Sequence, residues 1–375
     1  MNIKKLLLLQ VLSVMLLPQL SYAEVTLVPD TEVFEKAKVL EVSNQAATTV
    51  AGTDIPIPTQ TLKIEVIDGV DSGTIATFKN DYIQLTVGDI FYARHQTNHL
   101  DSSDYWSVSD PYRLDVLLWL TIVFVALICI FGGIQGVRGL ASLVGSFILI
   151  FYLLIPGIYG GYNAVLVSIG VASLIIIVGS YITHGFNRTT TSAVLGMIIT
   201  VIITGLGAYY VVHMAHLSGY SSEESTFLSL NTHGSINMVG LLFGGIIIGL
   251  LGVLYDIAIG QAIVIEELFL AGTSLTRTQV YTRGIRIGRE HIGALVNTLA
   301  IAYVGASLPL LLLMQSSTTG ILFIINNEIF STEIVRILIG SIGLILGVPI
   351  TTFISSHMLY GQPIHKKENH YGHKH

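Results

Sequence analysis

From residue 115 onward the chain is organised by seven long apolar runs, each near the ~20 residues that carry a helix across a bilayer. They cover about 115–131, 138–156, 162–182, 191–212, 236–260, 292–314 and 334–359. Before them the period shortens. Val33–Val42, Thr61–Ile67, Gly73–Phe78, Tyr82–Val87 and Ile90–His95 are partly alternating and rich in Val, Ile, Thr and aromatics, as half-buried strands are. Turn residues separate them, among them Asp68-Gly69, Lys79-Asn80-Asp81 and Gly88-Asp89. The pattern predicts an all-α polytopic membrane bundle of seven transmembrane helices. A small N-terminal extracytoplasmic β-rich domain, an OB-like or SH3-like barrel, precedes it.

The first residues follow the grammar of a secretory signal: Lys4 and Lys5, an apolar stretch Leu6–Leu17, Pro18, then Ser21-Tyr22-Ala23. The expected organisation is a signal peptide over 1–23, the β-rich domain over 24–113, the seven-span domain over 114–360, and a His-rich cytoplasmic tail over 361–375. Composition agrees with a membrane class: mean hydropathy is +0.71, charged residues are 11%, and 37 glycines are scattered through the apolar runs. The net charge of −6 is a local matter, because residues 24–113 hold fourteen acids against six Lys or Arg. With that segment outside, the inner loops carry Arg138, Arg188, Arg277, Arg283, Arg286 and Arg289, whereas the outer loops 157–161, 213–235 and 315–333 carry no Lys or Arg. That asymmetry predicts the N-terminal domain outside and the C-terminus inside, with the lipid bilayer as the main partner. No basic patch with interleaved aromatics is present, which argues against nucleic acid. The single cysteine, Cys129, excludes an internal disulfide and a thiolate metal cluster.

Asp256 stands out, an acid within the apolar run Met238–Ile265. Gly245, Gly249, Gly252, Asp256 and Gly260 follow at steps of three or four and share a helix face. Small residues let a second helix approach closely, and an ionisable group in the membrane is a functional hypothesis by default. Span 6 offers a matching small face, Gly293, Asn297, Ala300 and Val304. The expectation is that the two faces pack together, with Asn297 hydrogen-bonded to Asp256. Either that pair is interhelical glue, or Asp256 binds a cation or carries a proton. Between the two spans, Thr276 and Gln279 have capping-box spacing, and Val280, Gly284, Ile287 and His291 form an apolar or small stripe. Arg283, Arg286 and Arg289 crowd the other side, as on a basic helix at the inner headgroup surface or inner mouth.

Enzyme chemistry finds little support. Tyr255-Asp256 lacks the second acid an intramembrane aspartyl protease needs. No His-Glu-x-x-His, Gly-x-Ser-x-Gly or Walker loop occurs. His213, His216 and His233 match no ligand spacing. The expectation is a non-enzyme with no cofactor and no metal site.

Several segments resemble the YibE/F family of bacterial membrane proteins: Val87-Gly88-Asp89, Arg138-Gly139-Leu140, His184-Gly185-Phe186-Asn187, and Gly249-x-x-Gly252…Asp256. So do Gly288-Arg289 and Asn297-Thr298-Leu299…Gly305-x-Ser307-Leu308-Pro309. Where members often carry an Asn-Glu pair after span 5, this chain has Glu266-Glu267. The resemblance implies a multi-pass protein of the bacterial plasma membrane, a family described as transporter-like. The leading expectation is transport of an ion or small solute, with Asp256 and Asn297 as the binding pair. The alternative is a membrane scaffold or export-assembly factor whose outer module docks an extracytoplasmic protein. The glycine faces are also suited to contacts between copies in a homo-oligomer.

Overall fold

The computed structural model describes residues 31–44, 47–49, 56–98, 103–271, 275–315 and 319–361. The expected signal peptide and all but the first residue of the His-rich tail lie outside these. The chain divides into two compact units, residues 1–123 and 124–375.

Among the described residues, seven strands occupy the first unit: β1 (Thr31–Asn44), β2 (Thr48–Thr49), β3 (Pro56–Ile57), β4 (Gln60–Asp68), β5 (Ile75–Asn80), β6 (Ile90–Asn98) and β7 (Ser103–Pro111). Five form one antiparallel sheet in the order β5-β4-β1-β6-β7, and β2 pairs with β3. The edge strands β5 and β7 approach each other, so the sheet curls into a half-barrel. Alternation puts Ala37 and Val39, Leu62 and Ile64, and Phe91 and Ala93 on the closed side, where they form the core with Leu85. Two expectations need correction. Tyr82–Val87 is not a strand, because two buried amides take the place of a neighbouring strand. Gln60 donates to the Leu85 carbonyl (3.0 Å) and accepts from its N–H (2.9 Å), while Asn80 donates to the Ile83 carbonyl (2.6 Å). Ser103–Pro111, whose polar sequence gave no strand signal, pairs with β6, and its Trp106 stacks on His95 at 4.1 Å.

The helices are α1 (Leu114–Leu149), continued by a π-helical turn (Ile150–Leu154) and α2 (Ile155–Tyr159), then α3 (Ala164–His184), α4 (Arg188–Met214), α5 (Glu223–Asn231) and α6 (Met238–Ala271). After these come α7 (Arg277–Ala306), α8 (Leu308–Gln315), α9 (Ile321–Asn326) and α10 (Glu328–Met358). Among the described residues five helices are long and apolar enough to cross a membrane, or six if α7 and α8, bent by 67°, form one span. The difference from seven lies at Leu114–Tyr159, a single helical stretch of 46 residues where two spans were expected. At ~1.5 Å per residue it is about twice the hydrocarbon thickness. It is also broken. Gly133 has φ 54° and ψ −142°, a conformation open to glycine and strained for other residues. The reversal brings Gly136 against the Ile128 carbonyl, eight residues back.

In the second unit α6 is the central helix, packed against α3, α4, α7 and α10. Phe243, Ile246, Ile247, Leu250 and Leu254 of α6 meet Met197 of α4 and Leu344 of α10 in the core, all of them almost wholly buried. These interlocked apolar side chains gain dispersion contacts with the neighbouring helices. Glycines set the close approaches. A Cβ at Gly196 would stand 2.5 Å from Thr351 Oγ1 and 3.0 Å from the Thr351 Cα; at Gly347, 2.8 Å from Leu254. A hydroxyl pair, Ser192 and Ser355 (2.8 Å), adds a polar tie between α4 and α10.

Candidate functional site

The α6 stripe faces away from this core. Gly245, Gly249, Gly252, Asp256 and Gly260 are all exposed, on the side opposite Leu250, Leu254 and Ala258. Their shared face follows from helical spacing, but four glycines offer almost no area to bury, and the Leu/Ile/Phe side of α6 takes the interior. A Cβ at Gly245, Gly252 or Gly260 would meet nothing within 4 Å; at Gly249 it would meet Tyr303 Oη at 2.5 Å. Close packing of the stripe on α7 is therefore confined to Gly249.

Asn297 is exposed on α7 and points away from the buried Leu299, and Gly293 beside it has no atom within 4 Å of a built Cβ. Among the described residues no hydrogen bond joins Asn297 to Asp256, and the expected pair is corrected on that point. The two groups are nonetheless at similar depth. Tyr303 lies level with Gly249, and Gln261 level with Gly284 and Gly288, so Asn297 falls about one helical turn from Asp256 along the bundle.

The amide that ties these helices together is Gln261, which the sequence reading passed over. It is buried, and its Nε2 donates to the Gly284 carbonyl and to Thr352 Oγ1, both at 2.8 Å. One side chain thus links α6, α7 and α10. Gly284 and Gly288 leave room for it: a Cβ at Gly288 would stand 2.5 Å from Val348 Cγ1 and 2.9 Å from Gln261 Oε1. The sequence signal was present in these two glycines, four residues apart, opposite a polar residue in an apolar run.

Among the described residues, several concavities lie on the helical unit, three of which bear on the predicted residues. A groove of about 300 Å³ runs between α1, α3 and α6, lined by Ser142, Ser146, Gly179, Gly252 and Tyr255 among apolar neighbours. Gly252, one turn before Asp256, and Tyr255, its chain neighbour, line this groove, and Asp256 itself lies outside the lining. Tyr255 Oη donates to the Gly179 carbonyl at 3.3 Å. A smaller, polar pocket of about 170 Å³ holds His184, Asn187, Thr189, Thr190 and Glu266, where α3 turns into α4. The third, of about 430 Å³, is lined by Arg283, Arg286 and Arg289 with Tyr281, Thr282 and Ile285. The helix carrying it starts at the expected capping box: Thr276 and Gln279 exchange both hydrogen bonds. Val280 and Gly284 are buried as expected of its inward stripe, Ile287 is half-buried and His291 is exposed.

A family model described as "YibE/F-like protein" matches residues 120–361. The chain belongs to the YibE/F-like family. The match takes in the helical region, including Asp256, Asn297 and the arginine groove, and leaves the β-half-barrel outside it. Searches of curated proteins and of solved structures find no match. Family and apolar helices together make this an integral membrane protein.

Proposed function

We propose that this YibE/F-like protein is a transporter of an ion or small solute, with Asp256 as the binding or coupling group. The observation that supports it is the carboxylate's setting. Asp256 has no hydrogen-bond partner among the described residues and is exposed on the central helix, one turn from Gly252, which lines a groove. A carboxylate serving as interhelical glue needs a partner within the bundle; one that serves a passing cation or proton must be reachable and unpaired. The bend between α7 and α8 favours the same reading, since transporters place broken helices at membrane depth around a cavity.

In this reading the break at Gly133 turns α1 into two crossings, the bundle has seven, the N-terminal half-barrel is extracytoplasmic and the C-terminus is cytoplasmic in a bacterial plasma membrane. Asn297 offers an amide at nearby depth, and Arg283, Arg286 and Arg289 stand at the inner mouth. The test is uptake into proteoliposomes by wild type and Asp256→Asn over a panel of monovalent and divalent ions and a pH gradient. Loss of uptake in Asp256→Asn with normal membrane insertion is expected, whereas full activity of that variant defeats the proposal. The competing docking role predicts instead that damage maps to the surface of residues 24–113.

A further inference from the structure

The groove on α7 has a chemistry of its own. Arg283, Arg286 and Arg289 recur at every third position and are all exposed, and together they line one concavity. Among the described residues none of them forms a salt bridge with a carboxylate. Glu290, one turn after Arg286, is the nearest acid on the helix, and it is exposed. Close packing on the other face opposes rotation of the helix. Its opposite face is Gly284 and Gly288, held against Gln261, Ile265, Val348 and Thr352 with no room for even one added carbon. Three guanidinium groups are thereby presented on one side of the helix.

The rest of the lining is not charged. Ile285 packs against the bundle core, and Tyr281 meets Phe353 edge-on at 6.5 Å, with the Phe353 side chain 54% exposed. A cationic rim beside an apolar wall suits a ligand that is itself divided in the same way. Guanidinium forks match phosphate oxygens two at a time, and an apolar wall at the membrane surface suits an acyl chain. We propose that this groove binds the phosphate of an anionic phospholipid, with the chain of that lipid lying along Tyr281, Ile285 and Phe353. The assignment is independent of what the bundle carries.

The experiment uses the full-length protein in phosphatidylcholine nanodiscs containing a trace of fluorescently tagged phosphatidylglycerol, with binding read as energy transfer to a label on α7. Wild type is compared with the triple variant Arg283→Gln/Arg286→Gln/Arg289→Gln and with the triple Lys variant. The Gln triple is expected to weaken phosphatidylglycerol binding by about tenfold or more, a modest sum over three charge-assisted contacts. The Lys triple should lie between, because it keeps charge and loses the fork. Tagged phosphatidylcholine is unaffected in all three. Equal phosphatidylglycerol binding by wild type and the Gln triple overturns the site. Displacement of the lipid by millimolar inorganic phosphate overturns its assignment to a lipid and makes free phosphate the ligand. Since all three side chains are exposed, helical content and thermal stability of the Gln triple should match wild type, and this is checked in the same preparations.

Discussion

The clearest perturbation compares two glycines that look alike in the sequence. Gly196 on α4 and Gly260 on α6 both sit inside long apolar helices, and alanine at either gains about 1 kcal/mol of helix propensity. Their surroundings differ. At Gly196 a methyl group would stand 2.5 Å from Thr351 Oγ1 and 3.0 Å from the Thr351 Cα. Because the second of these is backbone, α4 and α10 must separate by roughly half an ångström or more, and overpacking of that kind costs about 1–3 kcal/mol. At Gly260 the same methyl group meets nothing within 4 Å. The propensity term cancels in the difference, so Gly196→Ala should be less stable than Gly260→Ala by about 1–3 kcal/mol. Equilibrium unfolding in mixed micelles with increasing SDS, followed by far-ultraviolet circular dichroism, measures that difference. Equal midpoints, or a less stable Gly260→Ala, would refute the reasoning, because the face judged open would then be packed and the face judged closed would not.

Two further substitutions probe the two units separately. Gln261→Leu keeps the volume and removes both 2.8 Å hydrogen bonds; at roughly 0.6–1.7 kcal/mol for each interhelical bond in a membrane protein, the same SDS titration should show a loss of about 1–3 kcal/mol. Phe91→Ala in the half-barrel empties a fully buried site and should cost about 3–5 kcal/mol, read as an earlier loss of Trp106 fluorescence in urea.

How far the sequence reached can be judged residue by residue. Long apolar runs located α3, α4, α6 and α10 because only a helix satisfies its backbone within a single segment crossing hydrocarbon. Alternation located β1, β4, β5 and β6. It failed at Ser103–Pro111, where the partner strand supplies the order that polar residues do not announce. It also failed at Tyr82–Val87, where the side chains of Gln60 and Asn80 replace a ladder. For the site, spacing correctly put Asp256 and its glycines on one face, and the structure puts that face outward. Which side of a helix turns inward is decided by the area it buries against all its neighbours, and that is not a property of one helix alone. Gln261 escaped notice for the same reason, since its partners Gly284 and Thr352 lie 23 and 91 residues away.

The Gln261 amide has a mechanical consequence. Its two bonds run to different neighbours from a single nitrogen, so a slide of α7 against α6 by an ångström must either break the bond to Gly284 or pull the amide away from α10. Gradual drift is thereby discouraged, and the segment behaves like a latch with discrete seats. A movement of α7 therefore has to exchange the Gly284 bond of this amide for another partner.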